Sequence, residues 1–302
     1  MTTTNEKVKI IGLGGAGANF IKYLKSQDIK DIEVIMANTD KESLKKMKEK
    51  FEVPVIQLGE DPDLEQGAKG DPEKGFMAAN NSYDQFKKAL KGSDLIFIRA
   101  GMGGGTGSSA SVVAAEIARK IGAITIALMN MPFYFEGPKR KNVAEEWFEK
   151  LKQKVDGVAV LPNDILLQNQ RGDKSFQAVL EEGDSYFKDI VKVVSCTLKQ
   201  QKELLLNLLK HEDLCFIGAG HDWGIDGLKN AVINAIKFLT DFNNVEIKNL
   251  THIIILISTK EIEDEENTEF INDLFKTTNM DVIWSKDNEL DENEVRCVII
   301  GK

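Results

Sequence analysis

Two glycine-rich segments of the sequence have the residue types of loops that bind phosphate groups. Residues 12–19 read GLGGAGAN, and residues 101–109 read GMGGGTGSS. Glycine adopts positive φ without strain and lets the backbone approach a ligand, while the N-terminus of a following helix offers unpaired N–H groups to an anion. Both segments are therefore predicted to bind phosphate. The candidate residues are Gly14, Gly15, Ala16, Asn19, Gly101, Gly103, Gly104, Gly105, Thr106 and Gly107.

The first segment by itself leaves several ligands open. Gly12, Gly14 and Gly17 spell the G-x-G-x-x-G of a dinucleotide-binding fold, and Asp40 follows at roughly the ~20-residue distance at which an acid holds an adenosine ribose. A nicotinamide dinucleotide would fit this pattern, and so would a tight turn without a ligand. The second segment makes a dinucleotide a poorer explanation, because one pyrophosphate does not need two such loops. A triphosphate, or a diphosphate and triphosphate site spread over several strands, does.

Short apolar runs rich in β-branched residues alternate with longer helical patterns through the first half of the chain. This alternation predicts βαβ units and a parallel sheet covered by helices on both faces. Because each glycine-rich segment follows a strand and opens a helix, both are expected at the carboxyl edge of the sheet. The predicted strands are 8–12, 33–38, 53–57, 94–100, 123–129 and 157–161, and the predicted helices include 16–26, 72–91, 108–121 and 139–154.

The second half of the chain has a different organisation. Residues 175–211 contain no proline and one glycine, and their apolar residues recur at helical spacing, which predicts one long helix or two in close succession. Strands are predicted at 214–219, 251–258, 281–284 and 294–300, with helices at 227–242 and 265–278. The predicted fold class is α/β, with a Rossmann-like parallel-sheet domain over 1–174, a central connecting helix region over 175–211, and a smaller α+β domain over 212–302.

Composition excludes several classes of function. Among the 302 residues, 42% are hydrophobic and 29% charged, which is ordinary for a soluble globular protein, and the net charge of −9 would repel a nucleic acid. The N-terminus lacks the pattern of a signal peptide, and no apolar run nears the ~20 residues that span a bilayer, so no direct membrane insertion is expected. Cys196, Cys215 and Cys297 lie far apart, which predicts free thiols in a reducing cytoplasm and no metal centre built from protein ligands.

The second glycine-rich segment resembles the GGGTG[ST]G signature of the FtsZ/tubulin superfamily, with Ser109 in place of the last glycine. The resemblance extends over nearly the whole chain. Residues 37–40 resemble the second nucleotide loop of that family, which implies contacts from Asn38 and Asp40. Residues 67–73 resemble the loop that senses the terminal phosphate, which implies contacts from Gly70 and Asp71. Lys69 in this loop either approaches the γ-phosphate or points to solvent.

Further segments extend the resemblance to the ribose and the base. Residues 132–140 resemble the family's PFxFEGxxR segment, which implies that Pro132 and Glu136 contact the nucleotide, Glu136 at the ribose hydroxyls, and that Arg140 lies against the sugar or base. The alternative for Glu136 and Arg140 is a surface ion pair, which contributes little stability. Asn163 and Asp184 match the amide and the acid that read guanine, and Leu180 takes the base-stacking position usually held by an aromatic residue. Guanine over adenine follows from the resemblance.

Two departures from the family pattern concern hydrolysis and membrane recruitment. In FtsZ a loop after the connecting helix reads like NLDFAD and brings carboxylates to the γ-phosphate of the next subunit beside Mg²⁺, whereas residues 199–204 here read KQQKEL. Glu203 is the one carboxylate in reach, and its alternative is an exposed helix residue. The resemblance reaches a last strand that ends near residue 300 and does not include the C-terminal linker and adaptor-binding peptide of FtsZ, so recruitment by the usual adaptors is not expected.

Three functional hypotheses follow. The resemblance implies a cytoplasmic protein that binds GTP and GDP, with Mg²⁺ accompanying the nucleotide, and that assembles head to tail into filaments for membrane remodelling or cell organisation, with slow or absent hydrolysis. Its expected partners are other copies of the chain and a membrane-associated adaptor. The second hypothesis is a guanine-nucleotide-binding protein that does not polymerise. The third is a Rossmann-type NAD-dependent oxidoreductase, for which the sequence offers no persuasive catalytic residue.

Overall fold

A computed structural model describes residues 6–27, 29, 32–59, 67–168, 175–209, 213–243, 245–260, 266–275 and 279–302, with residues 204, 207, 208 and 266–268 described by their backbone alone. The chain forms two compact units, Met1–Glu181 and Glu182–Lys302. Within the described residues, no helix combines the length and the apolar composition that a membrane span requires.

The first unit is built on a parallel sheet with the strand order β3-β2-β1-β4-β5-β6. Every residue of β1 is buried, as expected for a strand covered on both faces. The chain proceeds from β1 towards β3 on one side and from β4 towards β6 on the other, so the order reverses between β1 and β4, where open α/β sheets bind ligands. The strands are β1 (Val8–Leu13), β2 (Glu33–Asn38), β3 (Val55–Gln57), β4 (Leu95–Gly101), β5 (Ile124–Met131) and β6 (Gly157–Pro162).

Seven helices of the first unit are described. Nearly all of α5 is buried, from its first glycine to its last turn, which explains why it is built from Gly, Ala, Ser and Val instead of an amphipathic pattern. The helices are α1 (Gly14–Ser26), α2 (Lys41–Phe51), α3 (Pro72–Asn81), α4 (Tyr83–Leu90), α5 (Gly105–Lys120), α6 (Pro138–Lys152) and α7 (Asn163–Gln168).

The single helix predicted over residues 72–91 is wrong, because the structure divides it at Ser82 into α3 and α4. The Ser82 hydroxyl is buried, accepts a hydrogen bond from Gly59 N at 3.2 Å and lies 3.3 Å from Gln57 O. Bonds from a serine side chain to distant backbone compete with a continuous helix. The helical periodicity on either side of Ser82 carries no sign of these tertiary contacts.

The long helix α8 runs from Phe176 to Leu209 and is interrupted at Gln201, whose φ and ψ of −140° and 49° are not helical. The residues at the kink bond to strand β9 (Asn279–Lys286). Gln200 donates to Lys286 O at 2.8 Å and accepts from Lys286 N at 3.2 Å, while Gln201 donates to Trp284 O at 3.1 Å. The predicted helix limits at residues 210–211, 265 and 276–278 lie outside the described residues.

The second unit contains a four-stranded mixed sheet with the order β7-β10-β8-β9, in which β10 is antiparallel to both of its neighbours. One face of this sheet packs on α9 and α10 around a core rich in Ile, Val, Ala and Leu. A π-helical turn over Phe238–Phe242 follows α9. The remaining elements are β7 (Cys215–Trp223), α9 (Gly227–Lys237), β8 (His252–Thr259), α10 (Glu266–Leu274) and β10 (Glu294–Gly301).

A buried charge cluster in the second unit joins α8 to β7 and β10. Asp189, with 1% of its side chain exposed, lies 2.6 Å from Nδ1 of His221 and 3.3 Å from Nε of Arg296. Arg296 also bonds Glu294 at 2.8 Å. The hydrogen bond that His221 donates to the carboxylate of Asp189 raises the pKa of His221, although burial of the imidazole opposes the shift. The cluster therefore favours the charged form of this histidine.

Candidate functional site

The two glycine-rich segments meet at the point where the strand order reverses. Gly14 follows β1 and has a φ of +65°, which favours glycine, and a Cβ built on it would lie 3.3 Å from Gly107 N and 3.7 Å from Thr106 Cβ. On the other side, a Cβ on Gly101 would lie 3.0 Å from Cβ of Ala16. The loops after β1 and β4 are thus in van der Waals contact and form one continuous surface.

This surface is formed by the N-termini of two helices, α1 and α5. Their N-cap residues, Leu13 and Gly104, have no side chain that can accept a hydrogen bond, and the first turn of neither helix contains an acidic residue. The first N–H groups of both helices therefore keep their partial positive charge available for an anion. This donor set fits the phosphates of a nucleotide better than it fits a cation.

Thr39, which follows β2, joins three segments of the site. Its hydroxyl is fully buried, lies 2.7 Å from the hydroxyl of Thr106, and accepts a hydrogen bond from Ala68 N at 3.0 Å. The second glycine-rich segment and the loop at residues 67–71 are therefore held to the end of β2 through one side chain. Thr39 is absent from the predicted site residues, although it lies between the predicted Asn38 and Asp40.

Asp40 and Asp71, both predicted to contact the nucleotide, act as N-caps in the structure. Asp40 accepts from Ser43 N at 2.9 Å and caps α2, while Asp71 accepts from the backbone N–H groups of the first turn of α3 at 3.0 and 3.3 Å. Capping orients both carboxylates and satisfies one oxygen of each. The loop directly before Asp71 turns through Lys69 and Gly70, which are exposed and have positive φ. Asn38 is buried at the end of β2.

The segment predicted to contact the ribose also lies against the second glycine-rich segment. A Cβ on Gly103, whose φ is +86°, would lie 2.7 Å from Arg140 O and 3.3 Å from Cγ of Pro132. Glu136 accepts a hydrogen bond from Phe133 N at 2.8 Å and forms an ion pair with the guanidinium of Arg140. The ion pair that the sequence left as an alternative therefore exists, and half of the Arg140 side chain is exposed.

Asn163, the predicted base-reading amide, is buried at the start of α7 and belongs to a polar chain that the sequence did not reveal. Its Oδ1 accepts a hydrogen bond from Nδ2 of Asn130 at 2.7 Å. Oδ1 of Asn130 in turn accepts from Nη2 of Arg99, a buried residue of β4. Apolar strand residues precede and follow both Arg99 and Asn130. A charged or polar residue within an otherwise apolar, buried strand is the one sequence feature that could have identified them as site residues.

The remaining predicted site residues are distributed over both units. In the first unit, Gly15 and Asn19 are exposed on α1, and Leu180 is half-buried on α8. In the second unit, Asp184 is buried, and Glu203 is exposed two residues after the kink of α8. The contacts of Asp184 and Glu203 with a nucleotide stay predictions. Over the described part of the chain, no group of three or more His, Cys, Asp and Glu side chains is arranged to hold a metal ion.

Comparison with known proteins gives the same assignment at the levels of sequence and fold. Residues 7–171 match the model of the Tubulin/FtsZ family, GTPase domain. The cell division protein FtsZ of Neisseria gonorrhoeae is 33% identical over 237 residues, which cover 76% of this chain and 59% of that protein. The chain therefore spans about three-fifths of the length of this curated relative.

Solved structures of FtsZ from M. jannaschii superpose on the chain over almost its full length. A single-residue variant of that protein gives a TM-score of 0.82 at 28% identity and covers 98% of this chain and 91% of its own. An FtsZ dimer from M. jannaschii gives a TM-score of 0.77 at 28% identity and covers 99% and 89%. The α/β fold class and the resemblance predicted from the sequence are confirmed.

Proposed function

Because the chain belongs to the tubulin/FtsZ family, we propose that it binds GTP and GDP where β1 and β4 end. The observation that carries the proposal is the contact between Gly14 and Gly107, which joins two uncapped helix N-termini into one anion-binding surface. Family membership leaves the oxidoreductase alternative without support. Mg²⁺ would accompany the triphosphate and offset its negative charge.

Guanine recognition is assigned to Asn163 and Asp184. An amide supplies a donor and a carboxylate supplies an acceptor, which together complement the carbonyl and N–H groups on the edge of guanine. Glu136 and Arg140 are assigned to the ribose side by the family resemblance, and Nη2 of Arg140 would lie 3.9 Å from a Cβ built on Gly104. Leu180 would cover the base with less contact area than an aromatic ring.

Hydrolysis is proposed to be slow or absent. Residues 199–204 contain no aspartate, and their one carboxylate, Glu203, is exposed. Gln200 and Gln201, which occupy the same stretch, are engaged with the backbone of β9. Phosphoryl transfer to water requires a group that orients the water, and a glutamine whose amide is already bonded to its own chain is poorly suited to that role.

Head-to-tail assembly of copies into filaments is the second part of the proposal. It is supported by family membership and by the dimer formed by FtsZ from M. jannaschii. Repetition of one heterologous contact generates an open filament. The proposal includes a cytoplasmic location, a role in cell division, membrane remodelling or cell organisation, and recruitment by a membrane-associated adaptor. A guanine-nucleotide-binding protein that does not polymerise is the alternative.

Nucleotide binding can be tested with a fluorescent GDP analogue displaced by GTP, GDP, ATP and NAD. We expect displacement by GTP and GDP alone. A Gly104→Ala variant should bind at least 10-fold more weakly, because its new methyl group would meet, among the described residues, only Nη2 of Arg140 at 3.9 Å and would extend into the proposed phosphate site. Gly227→Ala is the matched control, since its methyl group would have ordinary contacts at 3.5 Å in the second unit. Displacement by NAD, or unchanged binding by Gly104→Ala, would contradict the proposed site.

Assembly and turnover need separate measurements. Electron microscopy with GTP, GDP and no nucleotide should show filaments with GTP, and phosphate release should stay slow and unchanged in Glu203→Ala. Filaments missing in every nucleotide state would favour the non-polymerising alternative. Rapid GTP turnover that is lost in Glu203→Ala would refute the proposal of slow hydrolysis and identify Glu203 as a catalytic residue.

A further inference from the structure

Three buried polar side chains form a continuous line of hydrogen bonds that leads to the base-reading amide. They are Arg99 on β4, Asn130 on β5 and Asn163 at the start of α7, with 3%, 8% and 9% of their surfaces exposed. Strand register brings them together, since β4 and β5 pair Gly101 with Asn130, and β5 and β6 pair Asn130 with Leu161. Polar groups this deeply buried are strongly constrained by their hydrogen bonds.

The first bond of this line fixes the orientation of the Asn130 amide. A guanidinium group donates hydrogen bonds and accepts none. Nη2 of Arg99 bonds Asn130, and Nη1 donates to Ala100 O at 2.8 Å. If the amide of Asn130 were reversed, two donors would face each other in a buried site. Oδ1 of Asn130 therefore faces Arg99.

The orientation of Asn130 determines the orientation of Asn163. With its oxygen facing Arg99, Asn130 directs its amino group away and donates to Oδ1 of Asn163 at 2.7 Å. Reversal of the Asn163 amide would again oppose two donors. Among the residues that the structure describes, the amino group of Asn163 donates to no protein acceptor. This group remains available to a ligand.

We propose that Arg99 is a positioning residue which, through Asn130, holds Asn163 with its amino group towards the nucleotide. Asn163 then acts as a hydrogen-bond donor to an acceptor atom of the purine base, and a carboxylate or carbonyl oxygen at this position is disfavoured. The inference rests on the proposed binding of guanine nucleotides at this site. It assigns part of the base specificity to a strand residue that lies behind the amide instead of beside the ligand.

The alternative is that Arg99 serves only the packing of the first unit. Its guanidinium lies 5.4 Å from the centre of the Phe20 ring, a contact that stabilises a buried cation. A packing role would lower stability when Arg99 is replaced. It would not change whether the oxygen or the amino group of Asn163 meets the base, so the two roles can be separated.

The decisive variant is Asn163→Asp, measured by equilibrium binding of GDP to the full chain. Aspartate can still accept the bond from Asn130, but its second oxygen cannot donate to the base. We expect GDP affinity to fall more than 10-fold. GDP affinity that is retained or increased would show that Asn163 presents its oxygen, and would overturn the proposal.

The role of Arg99 is tested by its coupling to Asn163. We expect Asn163→Ala to weaken GDP binding about 10-fold in the wild-type background and about threefold or less in Arg99→Met, where the amide of Asn130 loses the donor that fixes its oxygen and keeps only the long 3.5 Å bond from Nδ2 to Leu161 O besides Asn163. Arg99→Lys, which is also a donor without acceptors, should recover most of the affinity lost in Arg99→Met. The exposed Arg119 provides the matched control Arg119→Met, which should bind as the wild type does.

Additive effects of Arg99→Met and Asn163→Ala would overturn the role of Arg99, and so would a failure of Arg99→Lys to recover affinity. Circular dichroism of each variant identifies loss of fold. If Arg99→Met does not fold, the two single variants Arg99→Lys and Asn163→Asp still test the proposal. A wild-type chain that binds no guanine nucleotide would refute the proposed function itself. Wild-type binding without the predicted coupling would refute only this inference.

Discussion

Replacement of Thr39 by valine tests whether one hydroxyl holds the nucleotide loops together. Valine has nearly the shape of threonine and lacks its oxygen, so Thr39→Val removes both the contact with Thr106 and the acceptor of Ala68 N. Ala68 is buried, with 3% of its surface exposed, so that its N–H group would lose its acceptor in a place that water does not readily reach.

The magnitude follows from the two lost hydrogen bonds. A buried donor without an acceptor costs about 1–3 kcal/mol, and loss of a second, neutral hydrogen bond adds about 1 kcal/mol. We therefore expect Thr39→Val to lower the free energy of unfolding by about 2–4 kcal/mol. Thr106→Val leaves the bond between Thr39 and Ala68 intact and should cost only about 1 kcal/mol.

Urea denaturation of the purified variants, monitored by circular dichroism, measures these differences. Thr125→Val is the control, because this threonine is equally buried, and its hydroxyl makes a single long hydrogen bond within the described part of the chain, to Ala123 O at 3.3 Å. We expect the control to be the least destabilised of the three. A Thr39→Val variant no less stable than Thr106→Val, or than Thr125→Val, would refute the reasoning that Thr39 joins the three segments.

Further predictions concern the second unit. The pKa of His221 is raised, chiefly by its hydrogen bond to Asp189, so its contribution to stability should be complete below about pH 6.5 and disappear as the pH rises through the higher folded-state pKa. Urea midpoints from pH 5 to 9 should show this decrease in the wild type, and Asp189→Asn should remove it. Burial raises the pKa of the Cys297 thiol far above its usual range, so a thiol reagent should not modify Cys297 in the native protein. Mass spectrometry should find this modification only after denaturation. Gln201→Leu removes the bond to Trp284 O, and faster amide hydrogen exchange in β9 than in the wild type is the expected result.

Local sequence signals predict most of the fold and bring the two glycine-rich segments of the candidate site to one edge of the sheet. Apolar runs separated by helical patterns indicate parallel strands, and parallel strands bring their carboxyl ends to one edge. Two glycine-rich segments placed directly after such strands had therefore to lie on the same side of the sheet. That they touch depends on β1 and β4 being neighbours, which the strand order decides.

Some side-chain roles could be read only in part from the sequence. The sequence predicts nucleotide contacts for Asp40 and Asp71, and the structure shows both carboxylates capping the helices that follow them. An aspartate before a helix satisfies both descriptions, because a cap and a ligand contact require the same residue type at the same place. Their contacts with a nucleotide stay predictions.

The sequence by itself predicts which two loops present glycine backbone and helix N-termini suited to phosphate, since glycine spacing and helix starts are local properties. Only the tertiary structure decided how the site is held, because the partners of Thr39 and Arg99 lie 67 and 31 residues away. Which side chains meet across such distances depends on strand order and register, and a shift of one residue would move each of them to the opposite face of the sheet.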